Sequence, residues 1–297
     1  MSDFHAGFAC FVGRPNAGKS TLTNALVGTK IAITSSKPQT TRHTVRGIVH
    51  RPDAQLVLVD TPGLHKPRTL LGQRLNDLVR TTWAEVDVVA LCVPADEPVG
   101  RGDKFIADEI AGLKKKNVLA IVTKTDLVDK KRLAEQLLAV SRLGEFAEIV
   151  PVSAKAGDQV DLLADLLAKY LPESPPLYPD GELTDEPEMV MVAELIREAA
   201  LEGVRDELPH SLAVVVEEME PREGRDDLLD VHATVFVERP SQKAIVLGAG
   251  GERIKHVGST SRRQIEALLG TRIFLDLRVK VAKDWQRDPR QLRRLGF

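Results

Sequence analysis

The segment Gly13-Arg14-Pro15-Asn16-Ala17-Gly18-Lys19-Ser20 follows the apolar run Phe8 to Val12 and precedes a helical pattern beginning Thr21-Leu22. A GxxxxGK[S/T] sequence between a strand and a helix has a definite physical use. Its glycines let successive backbone N–H groups wrap a polyphosphate, and the helix N-terminus favours the negative charge. Lys19 then reaches the β- and γ-phosphates, and Ser20 offers its hydroxyl to Mg²⁺. A loop of this kind needs a parallel sheet to carry it.

The first 170 or so residues supply one. The runs Phe8 to Val12, Gln55 to Val59, Val86 to Val93, Val118 to Val122 and Ile149 to Val152 are short, largely apolar and bounded by Gly, Pro or Asp. Helical patterns fit between most of them, which predicts a doubly wound α/β sheet, mostly parallel. The stretch Leu171 to Gly181 carries four prolines and a glycine, which exclude helix and central strand. Beyond it the pattern changes to α-β-β-α-α-β, a smaller α+β unit: a helix near Met189 to Val204, strands near Ser211 to Glu217 and Leu229 to Glu238, helices around a glycine cluster, and a strand near Thr271 to Val281.

Three further segments have the order that a guanine-nucleotide site needs. Asp60-Thr61-Pro62-Gly63 closes a strand, so Asp60 can hold Mg²⁺ through water while the Gly63 N–H faces the γ-phosphate. Thr123-Lys124-Thr125-Asp126 follows another strand, where the Asp126 carboxylate can accept from guanine N1–H and N2–H. Adenine lacks those donors, so Asp126 selects GTP over ATP, with the Lys124 stem over the base plane. Ser153-Ala154-Lys155 follows a third strand and can present the Ala154 N–H to guanine O6. Upstream, Pro38-Gln39-Thr40-Thr41-Arg42-His43 offers a threonine hydroxyl to Mg²⁺; Thr41 is favoured over Thr40. The nucleotide contacts are thus expected at Gly13 to Thr21, Asp60 to Leu64, Thr123 to Asp126 and Ser153 to Lys155. The metal ligands are expected at Ser20, Thr41 and Asp60.

In the second unit Gly248-Ala249-Gly250-Gly251 forms a GxxG loop between two helical segments, the device by which a KH module clamps nucleic-acid backbone. Lys243, Arg253, Lys255, Arg262 and Arg263 surround it. Residues 180–238 carry 18 acidic and 4 basic side chains, whereas residues 239–297 carry 14 basic and 5 acidic ones. That asymmetry puts positive charge on the GxxG side and predicts a salt-dependent polyanion partner. Trp285 and the tail to Phe297 can stack on bases or pack on the domain; packing is the commoner outcome. The organisation expected is a P-loop domain over 1–171, a linker over 172–188, a type II KH domain over 189–283 and a basic tail over 284–297.

Taken together, GRPNAGKS, PQTTRH, DTPGLH, TKTD, SAK and the GxxG loop resemble the Era family of bacterial GTPases over nearly the whole chain. The resemblance implies GTP and GDP as ligands, Mg²⁺ as cofactor, binding near the 3′ end of 16S ribosomal RNA, and a role in maturation of the 30S subunit. Thr123 departs from it, because the family more often has asparagine there. Leu64 stands where many GTPases have a catalytic glutamine, so the resemblance implies slow hydrolysis with Leu64 retracted. Catalysis then falls to Lys19, Thr41, Gly63 and Asn16. Relatives with asparagine at the position of Asn16 can bind K⁺ beside the phosphates; the alternative is a simple loop hydrogen bond.

Composition narrows the remaining classes. With 43% hydrophobic and 28% charged residues the chain reads as globular and soluble. No apolar run approaches the ~18 residues that span a bilayer, and Met1 to His5 do not resemble a secretory signal. A cytoplasmic monomer is expected, with loose peripheral membrane association compatible with the family. Cys10 and Cys92 lie in apolar runs and read as small buried hydrophobes rather than as a disulfide or catalytic pair. That argues against a GTPase coupled to tRNA modification.

Overall fold

The computed structural model describes residues 4–35, 40–64, 67–113, 117–204 and 208–297. The chain divides into two compact units, one of Met1–Ala32, Thr41–Pro67 and Gly72–Asp185, the other of Ile33–Thr40, Arg68–Leu71 and Glu186–Phe297.

The first unit is a six-stranded sheet wrapped by helices. In chain order it runs β1 (His5–Val12), α1 (Lys19–Val27), β2 (Val45–His50), β3 (Ala54–Asp60), α2 (Leu70–Glu85), β4 (Val88–Pro94), α3 (Arg101–Gly112), β5 (Val118–Thr123), α4 (Lys130–Ser141), β6 (Glu148–Pro151) and α5 (Val160–Lys169). The strand order is β2-β3-β1-β4-β5-β6. All pairs are parallel except β2 with β3. The five apolar runs all became central or parallel strands because both faces are covered: β3, β4 and β5 are buried along their whole length. The antiparallel edge strand β2 is absent from the sequence reading, since Val45-Arg46-Gly47-Ile48-Val49-His50 has neither an unbroken apolar run nor strict alternation. Only its register against β3 makes it a strand.

The proline-rich stretch packs within this unit. The Gln55 side chain donates to Tyr178 O at 2.8 Å and accepts from the N–H of Leu177 and Tyr178, while Ile48 N–H donates to Leu183 O at 2.9 Å.

The second unit contains α6 (Glu188–Leu201), the short α7 (Leu208–Ser211), β7 (Ala213–Arg222), β8 (Arg225–Val237), α8 (Pro240–Leu247), α9 (Glu252–Leu269), β9 (Arg272–Val281) and α10 (Pro289–Arg294). Its sheet has the order β7-β8-β9, antiparallel and then parallel. The β8–α8–α9–β9 crossover is the α-α-β end of the expected order, with only α7 and α10 added. Val231, Ala233, Val235 and Val237 on one face of β8 pack with Val192 and Ile196 of α6 and Val257 and Ile265 of α9. The alternate residues of β8 leave that core, as a period of two requires.

No helix among the described residues is long and apolar enough to cross a membrane.

Candidate functional site

The site residues of the first unit gather at the C-terminal ends of β1, β3, β5 and β6, where doubly wound sheets hold ligands. Gly13 to Gly18 form the turn after β1, and Lys19 opens α1. Two glycines there are obligatory on steric grounds. A Cβ on Gly13 would stand 2.6 Å from Cys92 O, and Gly18 has φ +86°, the left-handed region that side chains resist. Asn16 also has positive φ (63°) and is exposed at the tip of the loop. Gly63 is required by close approach, since a Cβ there would lie 2.9 Å from Pro15 N.

The three expected metal ligands converge. Ser20 Oγ donates to Asp60 Oδ2 at 2.7 Å and lies 3.0 Å from Thr41 Oγ1, which itself donates to the same carboxylate oxygen at 3.2 Å. Asp60 is fully buried, and its Oδ1 has no hydrogen-bond partner. A buried carboxylate oxygen without a donor, beside two hydroxyls, is an all-oxygen set that suits a hard cation such as Mg²⁺. The electrostatics agree. Burial pushes the Asp60 carboxyl above the usual carboxylate range, opposed by the hydrogen bonds from Ser20 and Thr41 and by the Lys19 charge. Burial likewise pushes Lys19 below its ordinary value. A cation at Asp60 and phosphates at Lys19 each restore the ionised form.

Thr41, rather than Thr40, is the threonine brought to Ser20 and Asp60. The Thr40 carbonyl instead accepts from the Arg197 guanidinium within the second unit. Pro38, Gln39 and His65 lie outside the described residues.

At the base end, Ser153 Oγ donates to Asp126 Oδ1 at 2.6 Å and accepts from Ala156 N–H at 3.0 Å. This fully buried serine therefore aims an exposed carboxylate, a role the motif alone did not reveal. Lys124 holds a left-handed backbone (φ 57°) and its Nζ lies 3.4 Å from Asp96. Thr123 Oγ1 donates to Ala17 O at 2.7 Å, tying β5 to the P-loop with the hydroxyl it retains. Ala154 and Thr125 are half-buried, and Lys155 and Thr21 are exposed. Pro62 is buried, and Thr61, fully buried, donates to Phe11 O at 3.2 Å, which makes it a brace between β3 and β1. Leu64 is buried in the cluster with Cys10, Val12, Val59, Val79 and Trp83 and turns away from solvent. Cys10 and Cys92 are free and buried; burial lifts the Cys92 thiol to about 12.

Arg14 does not extend freely from its loop. Its guanidinium donates to Asp103 Oδ1 at 2.8 Å and pairs with Glu97 at 3.2 Å. Asp103 has no exposed surface and also caps α3 by accepting from Gly100 N–H at 2.8 Å. The sequence gives no sign of this link between P-loop and α3, because its partners are 89 residues apart. Asp103→Ala is expected to cost about 2 kcal/mol, toward the lower end for breaking an ion pair with one buried partner because Arg14 is partly exposed. A fall in the urea midpoint measures it; an unchanged midpoint refutes the role.

In the second unit the GxxG loop joins α8 to α9. Gly248, Gly250 and Gly251 all have positive φ (72°, 57° and 80°). A Cβ on Gly248 would lie 2.6 Å from Arg253 Cβ, whereas Gly250 and Gly251 face open space. The 18-residue α9 begins at this loop, so its free N–H groups and dipole favour an anion there. Ala249, Gly250, Lys255, Arg262 and Arg263 are exposed, and Lys243 lies half-buried along α8. Arg253 is committed elsewhere: its guanidinium donates to Ala200 O at 3.1 Å and Glu202 O at 2.6 Å, capping the end of α6. Arg262 sits 3.7 Å from Glu266.

Comparison with known proteins follows the same division. A family model described as 50S ribosome-binding GTPase matches residues 8–124, and one described as KH domain matches residues 207–286. GTPase Era of Streptomyces coelicolor is 75% identical, over 98% of this chain and 95% of the relative. GTPase Era of Mycobacterium sp. (strain JLS) is 68% identical over the full length of both. Among solved structures, Era in complex with MgGDPNP and nucleotides 1506-1542 of 16S ribosomal RNA superposes with a TM-score of 0.95 at 35% identity over 99% of each chain. A single-residue variant of Aquifex aeolicus Era bound to GDP.AlF4- superposes with a TM-score of 0.94 at 35% identity, again over 99% of each chain. With the motifs expected of a phosphate loop, a guanine-binding end and a KH loop at their places in the fold, and relatives this similar over the whole chain, the protein belongs to the Era family of GTPases.

Proposed function

We propose that this GTPase binds 16S ribosomal RNA near its 3′ end and acts, as a cytoplasmic monomer with at most loose membrane association, in maturation of the 30S subunit. The observation that carries this reading is one chain combining the motifs expected of a guanine-nucleotide site, gathered at strand ends, with a GxxG loop at the start of α9 whose Ala249 and Gly250 are exposed. The relative crystallised with a 16S ribosomal RNA fragment supports the choice of RNA. Water attacks the γ-phosphorus of GTP and the bond to the β–γ bridging oxygen breaks, giving GDP and phosphate. Lys19 and the N–H groups of the P-loop and Gly63 stabilise the charge that spreads over the transferred oxygens. Ser20, Thr41 and Asp60 would hold Mg²⁺, which would supply charge neutralisation at the phosphates. Leu64 is buried and apolar, so no side chain at that position orients the water, and turnover is slow.

Asn16 is exposed at the loop tip, a place open to a K⁺ beside the phosphates as well as to a loop hydrogen bond. If it binds K⁺, hydrolysis measured at equal ionic strength runs faster in KCl than in NaCl, by about tenfold for 1.4 kcal/mol of transition-state stabilisation. Equal rates in the two salts remove K⁺ from the site.

The RNA assignment is tested by crosslinking GTP-loaded protein to total cellular RNA and sequencing what is bound, beside Gly250→Asp. Aspartate tolerates the left-handed conformation of Gly250, and its Cβ meets open space, so the fold survives while a negative charge faces the phosphates. Enrichment of the 16S 3′ end, lost in the variant, is expected. Enrichment of transfer RNA, or of no RNA, overturns the partner and leaves the GTPase intact.

A further inference from the structure

Two of the loops that frame the nucleotide site are gripped by another loop that carries no nucleotide motif. The segment Ala95 to Gly100 joins β4 to α3 and is fixed at both ends. Ala95 N–H donates to Thr123 O at 2.8 Å, which ties its start to the end of β5. Gly100 N–H donates to the buried Asp103 carboxylate at 2.8 Å, which ties its end to α3. In between, the buried side chain of Gln136 on α4 donates to Pro94 O and to Glu97 O, each at 2.9 Å. A buried amide that satisfies two carbonyls of one turn leaves that turn little freedom.

From this fixed turn two carboxylates reach the site. Glu97 pairs with Arg14 of the phosphate loop at 3.2 Å, and Asp96 Oδ2 lies 3.4 Å from Lys124 Nζ at the guanine end. Lys124 is the residue with most to gain from such a partner. Its backbone is left-handed, at φ 57°, a region that side chains resist. Its stem is long and flexible, and a lysine whose tip is unheld samples many rotamers. An ammonium paired with Asp96 restricts the stem to the courses that end at that carboxylate. Both side chains are less than a third exposed, so solvent screens the pair only in part.

We propose that Asp96 is a positioning residue for the guanine nucleotide, which acts by holding Lys124 so that the lysine stem is ready to cover the base plane. The inference rests on the reading that guanine binds at Asp126 under the Lys124 stem. Ordering the stem before the nucleotide arrives lowers the entropy lost on binding. The sign of the effect separates this role from plain electrostatics. GTP is a polyanion, so removing a carboxylate near its site should, by charge alone, tighten binding. Removing a carboxylate that positions Lys124 should weaken it instead. Methylenes packed on a purine face do not distinguish its exocyclic groups, so the loss should be the same for different purine rings, unlike a loss at Asp126.

The test measures nucleotide affinity of the full-length protein by competition against a fluorescent GDP analogue, and hydrolysis by phosphate release. The nucleotides are GTP, GDP and ITP, whose base lacks the 2-amino group. Asp96→Ala and Asp96→Asn should weaken all three alike by about three- to fivefold, the upper end for a part-exposed ion pair. KM for GTP should rise by the same factor while kcat is unchanged. Asp96→Glu, which keeps the charge, should recover most of the affinity. Lys124→Ala should lose more than either variant, and adding Asp96→Ala to it should cost nothing further. Unchanged or tighter GTP binding in Asp96→Ala and Asp96→Asn overturns the proposal. A loss confined to kcat, a loss for GTP without one for ITP, or a full second loss in the Lys124→Ala background overturns it as well. Wild-type GTP affinity in Lys124→Ala overturns the placing of guanine itself, a result distinct from failure of Asp96 alone.

Discussion

Asp126→Ala should weaken GTP binding by about two orders of magnitude and erase most of the discrimination against ATP. The carboxylate can accept two guanine N–H groups, and each charge-assisted bond contributes about 1.5–3 kcal/mol. Because Asp126 is exposed, it must shed water on binding, which places the net loss near the low end of that sum, about 3 kcal/mol. Ser153→Ala removes the 2.6 Å bond that aims the carboxylate and should cost about 1 kcal/mol, roughly fivefold, with GTP-over-ATP preference reduced in proportion. Competition titrations with a fluorescent guanine nucleotide read both. Unchanged GTP affinity in Asp126→Ala would place the base elsewhere, and loss of all nucleotide binding alike would mean that the phosphate loop had been damaged instead.

Trp285→Ala is expected to destabilise the second unit by about 3–5 kcal/mol, the range for truncating a fully buried tryptophan. Three contributions combine: the cavity, the lost stack on Phe297, and the lost indole hydrogen bond to the Ser211 carbonyl. Trp285→Phe separates them, since it keeps most of the ring contact and loses the hydrogen bond, at about 1–2 kcal/mol. Urea unfolding followed by far-UV circular dichroism measures the series. A loss under about 1 kcal/mol in the alanine variant would mean that the tail is loosely held.

The nucleotide site was readable because its chemistry is local. Gly13 to Ser20, Asp60 to Gly63, Thr123 to Asp126 and Ser153 to Lys155 each end a strand, and a parallel sheet brings strand ends together without further instruction. The apolar runs that betray β1, β3, β4 and β5 are likewise a direct consequence of burial on both faces. Arg253 and Lys280 carry the same charge in sequence as Lys255 and Arg287, yet the first caps α6 and the second meets Glu217.

The sequence by itself therefore determined the parallel sheet, the placing of the expected nucleotide motifs at strand ends, the KH order and the basic sign of the last 59 residues. Tertiary structure decided the rest: β2 as a strand, Thr41 over Thr40, Ser153 as the residue that aims Asp126, Asp103 as the anchor of Arg14, and Trp285 as core. Apart from β2, which depends on its register against the adjacent β3, each of those depends on a partner well away along the chain. Residue type states what a side chain can bind, but only the fold states what is already beside it.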